Sequence, residues 1–173
     1  ALSLGYAYNS SSQDNTFSQA GFPPPAAGYD FFAGPIVPQE GGTAIFNLQE
    51  RDGFINLPMT TFAFFAAGQE DSDPEQKDYA GTLQWWNLLR GFKPRPESPA
   101  TPWTDPNGNV TKFRVTGDPV AGTGWLDENP GDRRMLMASG PFTMAVGDTN
   151  QTVVSVIAAL GSDRLSSVSV LKF

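Results

Sequence analysis

Glycine and proline interrupt this chain so often that no regular element in it can run long. Eighteen glycines and fifteen prolines make up nearly a fifth of the 173 residues, above average usage and below the low-complexity regime. Proline fixes φ and removes a backbone donor, and glycine admits turns that other residues resist. Between them lie short segments, most of them rich in the β-branched and aromatic residues that strands favour. A chain of this length suits a single compact domain, residues 1–173, whose core needs no disulfide or metal.

The segments read as strands over Ala1–Tyr8, Thr43–Leu48, Pro58–Ala67, Arg134–Ser139, Phe142–Val146, Thr152–Leu160 and Val168–Phe173, with a shorter one over Lys112–Val115. Gly41-Gly42, Gly140-Pro141, Gly147-Asp148 and Gly161-Ser162-Asp163 punctuate them, and Asn107-Gly108 is a hairpin-type turn inside a long polar loop over 92–112. A second loop runs from Gly117 to Pro130 and carries Trp125. One helix is expected, over 74–90. Asp73 stands as N-cap, Pro74 at the first helical position and Gln76 at capping-box spacing, and Gly91 is the stop. Many short strands and one inserted helix predict an all-β fold of β-sandwich or jelly-roll type.

The composition also excludes chemistries. Neither His nor Cys occurs, so these residues cannot build His–Cys zinc sites, thiol nucleophiles, Ser–His–Asp triads or iron–sulfur clusters. A net charge of −7 and a pI near 4.4 argue against a phosphate-binding surface, hence against nucleic acid as partner. No apolar run reaches the ~18 residues of a membrane-spanning helix, and no membrane insertion is expected. The start at Ala1, without a charged and then apolar leader, is read as a processed or excised chain. Loop-rich β patterning without Cys fits an exported protein that does without disulfides.

Three blocks carry a resemblance. They are Leu83-Gln84-Trp85-Trp86-Asn87-Leu88-Leu89-Arg90-Gly91; then Thr116-Gly117-Asp118-Pro119 with Gly122-Thr123-Gly124-Trp125; then Pro130 through Phe142 followed by Val146-Gly147-Asp148. In that order, with Pro24 through Pro35 before them, they resemble a domain of large secreted surface proteins of Bacteroidota and Ignavibacteria-like bacteria. Those proteins usually carry a type IX secretion sorting domain. The resemblance implies export and an extracellular or cell-surface location, and it implies no defined activity.

Candidate sites follow from residue chemistry. Asp71 and Asp73, in an acidic run that includes Glu70, Glu75 and Asp78, offer oxygen ligands suited to calcium; the rival reading is helix capping. Asp127, Glu128 and Asp132 offer the same in a Gly/Pro loop, against a salt bridge to Arg133 or Arg134. Trp103 and Trp125, both in loops, are candidates for stacking on sugar rings, against a role as loop-anchoring core aromatics. Paired carboxylates could hydrolyse a glycoside, but no local motif singles out a pair. The terminal strands, through Leu2, Leu4, Tyr6, Val168, Val170 and Phe173, are candidates for pairing with another chain. The expected function is a non-enzymatic structural or adhesive module at the bacterial surface, with self or neighbouring domains as partners. A glycan-binding module is the alternative, and a carboxylate hydrolase a further one.

Overall fold

The computed structural model describes residues 3–129 and 131–173. Strands hold 34% of the residues and helices 14%, in several small antiparallel sheets, so the chain is β-rich as its composition requires. Among the described residues, three helices interrupt the strands rather than one. The chain forms two compact units. One comprises the chain up to Asp30 with Val115–Asp132 and Ser155–Phe173; the other comprises Phe31–Arg114 and Arg133–Val154.

The first unit is organised by a three-stranded sheet. Strand β1 (Leu4–Tyr8) pairs antiparallel with β2 (Ala26–Ala33), from Leu4 opposite Asp30 to Tyr8 opposite Ala26. Between them, Asp14 caps the short helix α1 (Asn15–Gln19) by accepting from the Thr16 and Phe17 amides. Strand β9 (Val153–Ala159) lies on the other side of β2, so the order is β1-β2-β9. Helix α3 (Arg164–Leu171) covers one face of the sheet. Its Val168 and Leu171 are buried with Ala26, and Tyr6, Tyr8, Ile157 and Ala159 pack around them.

Helix α3 overturns the strand expected at Val168–Phe173. Val168 and Val170 alternate like a strand, but Val168 and Leu171 are also three apart, which is one face of a helix. The start of the segment decides between the two. Asp163 accepts from the Leu165 and Ser166 amides while the Ser166 hydroxyl accepts from the Asp163 amide, a complete capping box. The buried Ser167 hydroxyl donates to the Pro24 carbonyl at 3.0 Å and accepts from the Gly161 amide. A Cβ on Gly161 would sit 2.4 Å from the Ser166 hydroxyl and 2.6 Å from the Ser167 nitrogen, so only glycine admits the chain at this helix start.

The second unit holds three two-stranded sheets. Strands β3 (Ile36–Phe46) and β4 (Gln49–Asn56) form a long hairpin. Gly41-Gly42 is not a turn between elements; it lies inside β3, where the register shifts between Pro38 and Thr43 as a bulge. Strand β5 (Thr61–Phe65) pairs with β8 (Arg134–Ala138). The Asn107-Gly108 turn connects β6 (Trp103–Thr104) to β7 (Val110–Thr111), as expected of it. Asp105 holds that turn by accepting from the Asn107 and Asn109 amides and the Asn109 side chain. These bonds, the Asn109 side chain first, keep the Asp105 carboxyl below its ordinary range. Past β7, Phe113 makes only an isolated bridge to Phe62, in place of the strand expected over Lys112–Val115.

Helix α2 (Tyr79–Leu89) is shorter at its start than expected. Its N-cap is Asp78, which accepts from the Gly81 amide at 2.8 Å, and not Asp73. The chain before it runs back along the helix instead of joining it. The Glu75 amide donates to the Gln84 side chain, and the Glu75 carbonyl lies so close to Gly81 that a Cβ there would be 1.8 Å away. At the other end Arg90 is the C-cap and Gly91, at φ +83°, stops the helix where the sequence places the stop. Leu88 joins Ala63, Phe65 and Trp103 in the core of this unit, with Leu136 packed against them. Trp85 meets the Phe65 ring edge-on at 5.5 Å.

The segment Phe142–Val146, expected as a strand, joins no sheet. The Asp148 carboxylate accepts from the Ala145 amide and the Asp148 amide donates to the Ala145 carbonyl, closing a turn where a strand would continue.

The β3–β4 hairpin stores a measurable strain. Its two-residue turn puts both Asn47 (φ +53°) and Leu48 (φ +60°) in the left-handed region. Asn tolerates this and Leu does not, and Asn-Gly is the favoured pair for such a turn. Leu48 is 92% exposed, so its side chain contributes almost no burial. Leu48→Gly is expected to stabilise the protein by about 0.5–1 kcal/mol, read as a higher urea midpoint at unchanged slope.

Candidate functional site

Three places gather the residues singled out by the sequence. The first lies in the second unit, where the acidic run after β5 meets arginines. Glu70 pairs with Arg95, and this bond holds its carboxyl below the ordinary range. Asp71, 8% exposed, faces Arg114 at 3.5 Å and Arg95 at 3.9 Å. Both carboxylate oxygens of Asp73 lie 2.5 Å from Nη1 of Arg134. Arg114 does most of the joining. Its Nη1 also donates to the Phe64 carbonyl at 2.9 Å, and its guanidinium lies 3.9 Å from the Phe64 ring and 4.6 Å from the Trp103 ring. Planar guanidinium suits such a stacked, multiply bonded position, where lysine's point charge does not.

This arrangement corrects two expectations. Asp71 and Asp73 are engaged by arginines rather than set out as an oxygen cage, and neither caps a helix. Trp103 is 3% exposed, with core residues around it and Arg114 over its ring. It therefore presents no face on which a sugar could stack. The aromatic that is half open in a loop is Trp125. Its carbonyl accepts from the Gly117 amide at 2.8 Å, closing a loop that Asp118 and Thr123 cross-link through their backbones. Asp127, Glu128 and Asp132 are exposed around the same loop, and the Asp127 carboxylate accepts from the Asn129 amide. Arg134 pairs with Asp73, and the Arg133 guanidinium lies 4.8 Å from the Phe64 ring. Among the described residues, no group of three or more carboxylates is arranged around a common centre.

The second place lies in the first unit. Lys172, at the end of α3, reaches Asp118 at 3.0 Å and sits 5.6 Å from the Tyr6 ring. Burial pushes the Tyr6 phenol above its ordinary value even though Lys172 pulls the other way. Burial lowers Lys172, yet Asp118 and Tyr6 outweigh it and leave the ammonium raised. Asp118 is held down, first by Lys172 and then by the Val120 amide. At neutral pH the phenol and the ammonium therefore both keep their protons. The trio clamps the end of α3 to β1 and to the loop that carries Trp125.

The third place is the pair of outer strands, and here the expected assembly residues divide. Leu2 lies outside the described residues. Leu4 and Tyr6 are on β1, an outer strand, with Tyr6 turned inward under α3. Val168, Val170 and the chain end at Phe173 are on or just past α3 and form no strand. Val168 is wholly buried, so it is a core residue. The other outer strand is β9, which sequence reasoning recognised as a strand but not as an edge. Ile157 and Ala159 pack against α3, with Ser155 half-buried, while Val154, Val156 and Ala158 stay exposed. Val156 is 75% exposed, and β9 contains no charge, proline or glycine. Among the described residues, no helix is long and apolar enough to cross a membrane.

Comparisons with protein-family models, with curated proteins and with solved structures find no match to this chain.

Removing the arginine at the first place tests its role. Arg114→Ala leaves Asp71 nearly buried with its closer cation gone and bares one side of the Phe64 and Trp103 rings. A loss of about 3 kcal/mol is expected by chemical denaturation. Arg114→Lys should recover less than half of that loss. A full recovery by lysine would show that charge alone, and not the stacked plane, holds the site.

Proposed function

We propose that this chain is a non-enzymatic structural module of the bacterial cell surface, exported to its place, that assembles with copies of itself through the outer strands of its three-stranded sheet. The observation that carries the reading is β9. An outer strand offers a row of unpaired backbone groups to any other strand, and proteins normally blunt such edges with charge, proline or glycine bulges. β9 (VVSVIAA) has none of these, and its open face is valine and alanine. The contrast with the β3–β4 hairpin supports it, since there Glu40, Glu50, Arg51 and Asp52 line the strands. β1 (LGYAY) is likewise uncharged.

The chemistry of the molecule supports a role by contact. Charged side chains at the first place neutralise one another, and at neutral pH the Tyr6 phenol and the Lys172 ammonium keep their protons while the Asp118 carboxylate stays ionised against Lys172. Surface location rests on the resemblance to secreted surface proteins and on a fold that uses no cysteine.

The test is the assembly state of the purified chain across concentration, by light scattering behind size exclusion and by electron microscopy. Concentration-dependent oligomers or fibres are expected. Val156→Lys, which places a charge on the open face and touches no core residue, should keep the chain monomeric with an unchanged melting temperature. A chain that stays monomeric at millimolar concentration contradicts the reading.

A further inference from the structure

The reading above leaves open what pairs with β9, and the segment Phe142–Val146 supplies an answer that rests on that reading. Phe142, Met144 and Val146 alternate with Thr143 and Ala145, the period of a strand. Yet the segment joins no sheet, and all five residues are exposed. Val146 is as exposed as in an extended chain, and Met144 is 46% exposed. Among the described residues the only hydrogen bonds to this stretch are those between Ala145 and Asp148. A sequence with strand period and apolar alternation, left unpaired in water, is a local preference that the isolated fold does not satisfy.

The ends of the segment are nevertheless fixed. Before it, the Ser139 hydroxyl lies 2.9 Å from the Pro58 carbonyl. After it, the Asn150 side chain accepts from the Ile36 amide and donates to the Ile36 carbonyl, and the Gln151 side chain accepts from the Asn47 amide. Anchors on both sides make it a presented loop, with much of its ordering entropy already lost before any partner arrives. They also hold the connection to β9 on β3, so the segment does not simply fold back as a hairpin with the strand that follows it.

We propose that Phe142–Val146 of one copy adds as a strand to the β9 edge of the next copy. Charge selects this pair. The chain carries −7 overall, so copies repel at most points of approach. Residues 141–147 and 153–159 carry no charged side chain at all. Backbone bonds between the two would occupy the open edge of β9. Phe142, Met144 and Val146 would then lie beside Val154, Val156 and Ala158, covering apolar surface that both now expose to water. Donor and acceptor are different parts of the chain, so the contact is head-to-tail and propagates into a filament or closes into a ring.

The absence of cysteine in the native sequence allows a direct test. Met144→Cys and Val156→Cys are made separately, each at an exposed position, isotopically distinguished, mixed under assembling conditions and treated with a short bismaleimide. The proposal expects the mixed 144-to-156 product to exceed either self-product by at least about tenfold. It also expects Met144→Lys to raise the assembly concentration by at least about tenfold while the melting temperature stays put. If Val156→Cys cross-links mainly to itself, β9 pairs with β9; the donor segment is then wrong while assembly through the edge stands. If Met144→Lys assembles like the native chain, the donor is again excluded. If no product forms and the native chain is monomeric, both this inference and the assembly reading fall.

Discussion

The seating of α3 on one face of the three-stranded sheet is the contact on which the first unit depends. Three strands have little apolar surface to bury by themselves, and a small sheet needs a helix or a second sheet on one side. Val168 and Leu171 supply that cover, against Ala26 and the rings of Tyr6 and Tyr8. The seat is built from polar parts: the Asp163–Ser166 capping box at one end, Ser167 on the Pro24 carbonyl, and Lys172 on Asp118 at the other. Because side chains alternate along a strand, covering one face of β9 commits the other face outward. The half-buried Ile157 and Ala159 and the exposed Val156 and Ala158 are one fact seen from two sides.

The second unit settles a different problem, that of seating aromatic and acidic residues together. Phe64, Phe65 and Trp103 provide its core. Arg114 lies against two of those rings and meets Asp71 with the same guanidinium. Charge on the acidic run is thereby returned to the core wall. A tryptophan in a proline-rich loop looks like a ligand platform in sequence because its loop suggests exposure. Trp103 shows the other use, a loop residue that pins its own segment into the core. Where such a ring is covered by a guanidinium, the covering arginine is the feature a sequence reader would need, and Arg114 lies eleven positions away with nothing local to connect them.

What was legible followed from local chemistry. β8 and β9 are within a residue or two of the segments read from β-branched content, the core of the run Pro58–Ala67 is β5, and Gly91 ends α2. Asn107-Gly108 marked a real hairpin. Errors arose where two local signals competed and a distant contact chose. Asp73 and Asp78 both offer a cap, and the engagement of Asp73 by Arg134 leaves Asp78 to start the helix. Val168–Phe173 fits a strand and a helix equally in pattern, and the capping box before it decided. Strand order was not legible, so β9 could not be known as an edge. The strand expected at Phe142–Val146 is the informative failure, because the local preference is plain and no partner satisfies it within the fold.

We propose that the outer edge of β9 is vacant in the single chain and filled when chains meet. Hydrogen–deuterium exchange resolved along β9, followed from dilute to concentrated protein, measures this directly. Alternate amides of an outer strand point away from its ladder, and those of β9 should exchange rapidly in dilute protein and become protected as concentration rises, while the α3 core stays protected throughout. Exchange along β9 that is already slow in the monomer, or that stays fast in assembled material, would contradict the account.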